Sequence, residues 1–215
     1  MANGIDGYAT AATRTRYNRI APIYDCVESL SERTFKPLRA KIWSQAQGDV
    51  LEAGVGTGKN FPHHPPGTRV VGIDLADQML ARANKRAQEL DVPIELCEGD
   101  VQQLAFPSNS FDTAVATCVF CSVPDPVRGL LELNRVVKPS GKILLLEHVR
   151  IDRPIIGRVM DWMNPFFVRL YGANINRRTI ENVQRAGLCI ENVDHYGPMQ
   201  MVKFIVARPN KFTNG

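Results

Sequence analysis

Apolar residues follow two different periods along this 215-residue chain. Segments 76–90 and 125–137 repeat them at helical spacing. Short runs rich in β-branched and aliphatic residues, bounded by Gly, Pro, Asn or Asp, are typical of strands; they span 49–54, 69–74, 93–100, 111–118 and 142–149. Because strands and helices alternate, the pattern predicts an α/β fold with a parallel sheet covered on both faces.

Two further strand-like runs, 188–197 and 201–209, follow near the end of the chain. Only a few residues separate them, and a parallel crossover needs about a dozen or more. The final strand is therefore expected to run antiparallel to its neighbours.

Two segments do not fit the strand and helix alternation. Residues 10–47 have a helical pattern, with breaks expected at Pro22 and Pro37. Residues 150–175 form a basic and aromatic insert. Ligands of open α/β sheets bind beyond the carboxyl ends of the strands, so we expect both segments to close over that edge.

The stretch "LEAGVGTGKN" (51–60) follows the first predicted strand and holds three glycines. A phosphate-binding P-loop needs Gly at its first position and Ser or Thr at its last, where this chain has Ala53 and Asn60. The dinucleotide pattern G-x-G-x-x-G also fails, because Gly58 comes one residue early. Neither phosphate-binding motif fits.

Carboxylates mark the ends of the next two predicted strands, at Asp74 and Asp100. A carboxylate at the second strand end can accept hydrogen bonds from both ribose hydroxyls. One at the third strand end can accept from an adenine amino group. With glycines that let the backbone approach a ligand closely, this set describes a site for adenosine without a pyrophosphate.

At this level of detail the chain resembles the class I S-adenosylmethionine (SAM) methyltransferases. The resemblance rests on "VLEAGVGTG", "VVGIDLADQMLARA", "EGDVQQLAFPSNSFDTAV" and "VPDPVRGLLELNRVVKPSGKILLLEH", which occur in order and at the family's spacing. It implies a Rossmann-like, seven-stranded, mostly parallel sheet with an antiparallel last strand. It also implies an enzyme that uses SAM and releases S-adenosylhomocysteine.

The resemblance further implies a role for each matching residue. Glycines and an acid at the first strand end would line the methionine end of SAM, Asp74 would hold the ribose, and Asp100 with Val101 would bind the adenine. Met79 would pack on the base and Cys118 would lie beside the sulfonium. The implied cofactor-binding set is Tyr17, Glu52, Gly54, Gly56, Gly58, Asp74, Leu75, Met79, Asp100, Val101 and Cys118.

A closer resemblance is to the membrane-associated thiol methyltransferases of vertebrates and their bacterial relatives. It rests on "CVFCSVPDP" (118–126), "LLEHV" (145–149) and "GANINRRTIENVQRAG" (172–187). Vertebrate members carry a hydrophobic N-terminal anchor that this sequence does not show, so we do not expect it to reside in a membrane. Tyr17 and Tyr24 resemble the N-terminal lid of the branch that methylates quinones and lipids.

The candidate catalytic residues are His148, as a general base or a structural histidine, and Tyr24 in the predicted lid. Cys118 and Cys121 have C-x-x-C spacing, but no second Cys or Cys/His pair is suitably placed for zinc, so no metal site is expected.

Four segments are expected: an N-terminal helical lid (1–47), a SAM-binding core (48–149), a basic and aromatic acceptor-side insert (150–178), and a C-terminal helix and strands that complete the core (179–215). The net charge of +4 is too small to indicate a nucleic-acid partner. Between residues 150 and 178, however, six arginines face only two acids. We therefore expect a cytoplasmic protein with peripheral membrane contact through residues 150–175 on the inner membrane face.

Several functions remain open on sequence alone. S-methylation of sulfide or small thiols is favoured, because no strong base is evident and a thiol with a pKa near ~8.5 is partly ionised at neutral pH. Phosphatidylethanolamine N-methylation and quinol C-methylation are alternatives. A non-enzymatic SAM-binding module and an NAD-dependent oxidoreductase are more remote, and the oligomeric state is undetermined.

Overall fold

The computed structural model describes residues 4–211. At Leu30 it describes the backbone but not the side chain. Helices and strands alternate through the middle of the chain, after two N-terminal helices. In chain order they are α1 (Gly7–Ile20), α2 (Tyr24–Trp43), β1 (Asp49–Ala53), β2 (Arg69–Asp74), α3 (Asp77–Leu90), β3 (Ile94–Glu98), β4 (Phe111–Thr117), α4 (Pro126–Val136), β5 (Val137–His148), α5 (Pro154–Tyr171), α6 (Thr179–Arg185), β6 (Cys189–Tyr196) and β7 (Val202–Arg208).

The seven strands form one sheet in the order β3-β2-β1-β4-β5-β7-β6. The pairs among β1 to β5 are parallel, whereas β7 runs antiparallel to both β5 and β6. This arrangement confirms the predicted Rossmann-like methyltransferase fold, including its antiparallel last strand. β5 begins earlier than the sequence indicated, because Val137 already pairs with Phe111 before a shift in register.

The core lies on both faces of the sheet because strand side chains alternate between them. In β5, Ile143 and Leu145 belong to the cluster that packs against α4 and α6, while Leu144 and Leu146 belong to the opposite cluster with Ile42 of α2. The long apolar run of this central strand is therefore explained by burial on two sides.

The N-terminal segment is helical as predicted, but only one of its two prolines interrupts it. Pro22 lies in a 3₁₀ turn (Ala21–Ile23) between α1 and α2. Pro37 lies inside α2, and the break expected there was wrong. A proline removes one backbone donor from a helix, and here the following turns are held by Ile42 and Trp43, which are completely buried against the sheet.

Burial predicts how much single leucines contribute to stability. Leu144→Ala should lower the free energy of unfolding by about 2–5 kcal/mol, because it opens a cavity in the core. Leu131→Ala, at a position on α4 that is 43% exposed, should cost much less. Denaturant unfolding monitored by circular dichroism measures both; equal losses would contradict the assigned core.

Candidate functional site

A cavity of about 100 Å³ lies beyond the carboxyl ends of β1, β2 and β4, under α1 and the start of α2. Its walls combine backbone of the strand-end loops with side chains of the two N-terminal helices. The lining residues are Thr13, Tyr17, Tyr24, Gly54, Gly56, Ile73, Asp74, Leu75, Met79, Gly99, Asp100, Val101, Thr117, Cys118, Val119, Ser122, Val123 and Pro124. A smaller cavity of about 30 Å³ adjoins it at Gly54, Gly56 and Cys118.

The glycine loop after β1 supplies one wall. Gly54 and Gly56 have φ of +70° and +56°, a region that favours glycine. No atom lies within 4 Å of a Cβ built on Gly56, so this loop leaves open space beside its backbone. At Gly58 a Cβ would approach the Phe61 ring to 2.4 Å, and this glycine is outside the lining of both cavities.

Glu52 lies beneath the glycine loop rather than in the cavity walls. Its carboxylate accepts from Asn60 Nδ2 at 2.7 Å and contacts His64 Nε2 at 3.0 Å. Arg39 of α2 donates to Asn60 Oδ1 at 2.9 Å. This buried network connects α2 to the loop, and a direct contact of Glu52 with SAM remains a prediction.

Asp74 joins the loops after β1 and β2. Its Oδ2 accepts from the Gly56 amide at 2.8 Å and its Oδ1 from the Ala76 amide at 2.9 Å. Burial raises the pKa of Asp74 above its ordinary value, and these backbone donors oppose that rise. Asp100, after β3, accepts from the Gln102 amide at 2.8 Å. Two carboxylates thus face one cavity.

The N-terminal helices close the cavity from above. Met79 of α3 is buried in a cluster with Ala21 and Ala76, against which Tyr17 and Tyr24 pack. The hydroxyl of Tyr17 hydrogen-bonds Ser122, and that of Tyr24 donates to Glu28 at 2.8 Å. Burial raises the pKa of both phenols, so both stay neutral at physiological pH.

The loop after β4 forms the opposite wall, and a buried glutamate holds it. Cys118 has φ +56°, and the next two amides, of Val119 and Phe120, donate to Glu147 Oε1 at 2.9 and 3.1 Å. Glu147 Oε2 has no hydrogen-bond partner in residues 4–211. Burial raises the pKa of Glu147 to about 7, and it also raises the pKa of Cys118 well above its usual value.

His148 follows Glu147 at the end of β5, where it pairs with Val202 of β7. Burial lowers the pKa of His148 below its usual value. It is not among the residues that line either cavity. A catalytic role for His148 therefore remains a prediction without a contact to the cavity.

Ten of the predicted residues meet at the main cavity, namely Tyr17, Tyr24, Gly54, Gly56, Asp74, Leu75, Met79, Asp100, Val101 and Cys118. Glu52, Gly58 and His148 lie outside it. The functional roles of all these residues remain predictions, whether or not the residues line the cavity.

Sequence reasoning missed several residues of the walls. Thr13 lies one helical turn before Tyr17, so helical spacing would have found it. Ser122 and Pro124 lie within the quoted stretch 118–126. Glu147 had a signal as well, because an acid inside the apolar run "LLLEH" needs buried partners.

Comparisons with known proteins identify the family. A family model described as "Methyltransferase domain" matches residues 51–145. The chain is 31% identical to a demethylmenaquinone methyltransferase of Lactobacillus johnsonii, over 74% of this chain and 71% of that protein. It therefore belongs to the SAM-dependent methyltransferases of the UbiE-like branch, and the predicted enzyme class is confirmed.

Two other relatives carry different names. The chain is 39% identical to a phosphatidylethanolamine N-methyltransferase of Cereibacter sphaeroides, but the match covers 49% of this chain and about half, 53%, of that protein. It is 29% identical to the thiol S-methyltransferase TMT1B of Rattus norvegicus, over 76% of this chain and 69% of that protein. Among solved structures, a SAM-dependent methyltransferase of Thermotoga maritima superposes with a TM-score of 0.70 over 92% of this chain and all of that one, at 20% identity. That likeness shows the fold.

The residues at the cavity fit SAM, the cofactor that the family uses. Gly56 borders the cavity, and the space beside its backbone is open. Asp74 and Asp100 provide acceptors for hydroxyl and amino groups, and Met79 offers an apolar surface for a base. The carboxylates of Asp74 and Asp100 also suit the positive charge of a sulfonium.

Removing the β2 carboxylate tests the cofactor assignment. Asp74→Ala should abolish measurable SAM binding in calorimetry, because it deletes the proposed ribose acceptor and the partner of the Gly56 amide. Asp152→Ala, an exposed acid outside the cavity, is the matched control. Unchanged SAM affinity in Asp74→Ala would show that the binding site lies elsewhere.

Glu147 should make stability depend on pH. Its native pKa of about 7 lies above the ordinary value of 4.5, so the native state binds the extra proton and the contribution of Glu147 to stability falls as pH rises from 4.5 to 7. Glu147→Gln should remove roughly 3 kcal/mol of this fall. Unfolding curves across that range, with the exposed Glu89→Gln as control, measure the difference. The same slope in Glu147→Gln and wild type would contradict the assignment.

Proposed function

We propose that this methyltransferase transfers the methyl group of SAM to the sulfur of hydrosulfide or a small lipophilic thiol. The observation that carries the proposal is the chemistry of the main cavity, whose described lining contains two carboxylates, two tyrosines and a cysteine but no histidine or lysine that could act as a general base. This proposal supplies the acceptor, which the family alone leaves open among thiols, phosphatidylethanolamine and menaquinone precursors.

The ionisable groups of the walls support an acceptor that ionises unaided. Tyr17, Tyr24 and Cys118 have raised pKa values because they are buried. No histidine or lysine occurs among the described residues that line the main cavity. A thiol with a pKa near ~8.5 is partly thiolate at neutral pH, whereas an amine with a pKa near ~10 would need a group to take its proton.

The charges of the walls also favour a thiol over a phospholipid. Asp74 and Asp100 are the charged side chains of the main cavity, and no arginine or lysine lines it within the described part of the chain. A phosphodiester inside would therefore have no cationic side chain of the described lining to bind its phosphate, whereas a small thiol needs none. In the smaller cavity Lys59 is already paired with Glu28, at 3.0 Å.

The protein contributes mainly position and exclusion of water. When bound, SAM supplies an already activated methyl group on a sulfonium. Orienting two reactants in a near-attack geometry can supply about 7–11 kcal/mol of the barrier. Tyr17, hydrogen-bonded to Ser122, and Tyr24, hydrogen-bonded to Glu28, close the cavity to water and form an apolar wall for the acceptor. A general base typically adds only ~10²–10⁴-fold.

Phosphatidylethanolamine N-methylation is the second candidate. It is favoured by the 39% identity to the Cereibacter sphaeroides enzyme over 108 residues. That match covers about half of each chain, whereas the match to the rat thiol S-methyltransferase covers 76% of this one. Quinol C-methylation is favoured by the match to the Lactobacillus johnsonii enzyme.

A panel of acceptors separates these functions. With labelled SAM, label should pass to hydrosulfide and alkyl thiols, and not to phosphatidylethanolamine or a demethylated quinol. Asp74→Ala, which should not bind SAM, is the blank for uncatalysed transfer. Label on the phospholipid or the quinol, with none on thiols, would replace the proposed acceptor.

The pH dependence within the thiol series tests how the acceptor is activated. If the acceptor ionises unaided, the midpoint of the pH profile of kcat/KM should move with the pKa of each thiol. The profile should be unchanged in His148→Ala. One midpoint for all thiols, lost in His148→Ala, would assign the base to His148 instead.

A further inference from the structure

Helix α5 carries a continuous apolar stripe that no described part of the chain covers. Large side chains recur every three or four residues along one face of the helix, at Ile155, Val159, Trp162, Phe166 and Leu170. Three of them are highly exposed, with Trp162 at 82%, Ile155 at 79% and Phe166 at 62%. Ile155 and Leu170 are fifteen positions apart, so at a rise of ~1.5 Å per residue the stripe is about 23 Å long. Such a patch marks an interaction surface.

The opposite side of α5 faces the protein. Gly157 and Met160 are buried, and a Cβ on Gly157 would meet the guanidinium of Arg150 at 2.3 Å. The sulfur of Met160 lies 3.4 Å from the Ile151 amide. Because this inner face is already packed, the helix cannot rotate to bury its stripe without losing those contacts.

Arginines without a carboxylate partner accompany the stripe. Arg153, Arg158 and Arg169 are exposed, and none of them forms an ion pair within residues 4–211. Helical spacing places Arg158 and Arg169 along one edge of the stripe. The acid on α5, Asp161, is paired with Arg150 at 2.8 Å. The exposed face is therefore apolar with a net positive edge.

We propose that α5 docks this protein onto an anionic lipid bilayer, lying in the plane of the interface with its apolar stripe among the acyl chains. An apolar face with Trp and Phe beside arginines is the composition of interfacial helices. The long arginine side chains can reach headgroup phosphates while their stems stay on apolar surface. The stripe contains no polar side chain that would recognise a protein partner specifically, and its charged edge complements the negative surface of such a membrane.

Docking would also position the catalytic cavity. The C-terminal end of α5 reaches Gly172, where a Cβ would lie 3.4 Å from the ring of Tyr17, a cavity residue. Just beyond, the Asn174 side chain donates to the Cys121 carbonyl at 2.8 Å. One end of the docked helix is thus next to the cavity walls. The proposal does not depend on which acceptor is methylated.

No helix within residues 4–211 is both long and apolar enough to cross a membrane. The proposed contact is therefore with the membrane surface, and vesicles can measure it directly. The full-length protein should sediment with vesicles of phosphatidylcholine and phosphatidylglycerol in equal parts, and much less with phosphatidylcholine alone. Binding should weaken as salt rises, because exposed charges are screened.

Variants of the stripe and its edge locate the contact. Trp162→Ser/Phe166→Ser should weaken binding to the mixed vesicles at least about tenfold, and Arg158→Gln about fivefold. Tyr8→Ser removes an aromatic side chain that is 88% exposed on α1 and should leave binding unchanged. Circular dichroism checks that each variant is folded.

Tryptophan fluorescence supplies a second readout that does not rely on loss of binding. Trp162 is exposed whereas Trp43 is completely buried, so a blue shift on adding mixed vesicles should come from Trp162 and be absent in Trp162→Ser. No vesicle binding, or equal binding by wild type and Trp162→Ser/Phe166→Ser, would overturn the proposal. A second result would also overturn it: a wild-type protein that forms a dimer and does not bind vesicles, with a monomeric Trp162→Ser/Phe166→Ser variant. The stripe would then join two copies of the chain.

Discussion

The reversal of strand order between β1 and β4 is the constraint on which the site depends. The two strands are parallel neighbours, but the chain continues from β1 to β2 on one side and from β4 to β5 on the other. The loops that follow them must therefore diverge, and a cleft opens at their carboxyl ends. The glycine loop and the Cys118 loop form its two walls, and α1 with the start of α2 covers it.

Each of these walls is held from below by a buried glutamate. Glu52, at the end of β1, binds Asn60 and His64, and Glu147, near the end of β5, accepts from two amides of the Cys118 loop. Buried polar groups are costly unless they are hydrogen-bonded. Both therefore fix loop geometry in a way that apolar packing, which has no direction, does not.

The sequence predicted the sheet and much of the cavity because both follow from local patterns. β2 was predicted over the residues that it occupies, 69–74, and the ends of parallel strands share an edge, which brings Asp74 and Asp100 together. Longer-range features had no such signal. The bond between Tyr17 and Ser122 joins residues 105 positions apart, and the continuation of α2 through Pro37 depends on its packing against the sheet.

The same limit explains why Glu147 was missed and why His148 does not line the cavity. A strand pattern shows that two successive side chains point to opposite faces, but it does not show which loop folds over either face. The three-dimensional arrangement places Glu147 under the Cys118 loop and leaves His148 without a contact to the cavity. His148 was chosen because it follows a strand whose carboxyl end was expected to face the acceptor, and that position does not by itself bring a side chain to the cavity.

Charge differs in sign between the cavity walls and the exposed surface of α5. Two carboxylates face the cavity, which suits a cationic cofactor, while exposed arginines accompany the apolar stripe of α5. A small lipophilic thiol is compatible with both surfaces, because its neutral form partitions into a bilayer and it carries no phosphate that would need a cationic side chain in the cavity. A phospholipid would be attracted by the outer surface but would find no arginine or lysine for its phosphate among the described residues that line the cavity. This contrast is the structural reason for separating the proposed docking surface from the proposed acceptor.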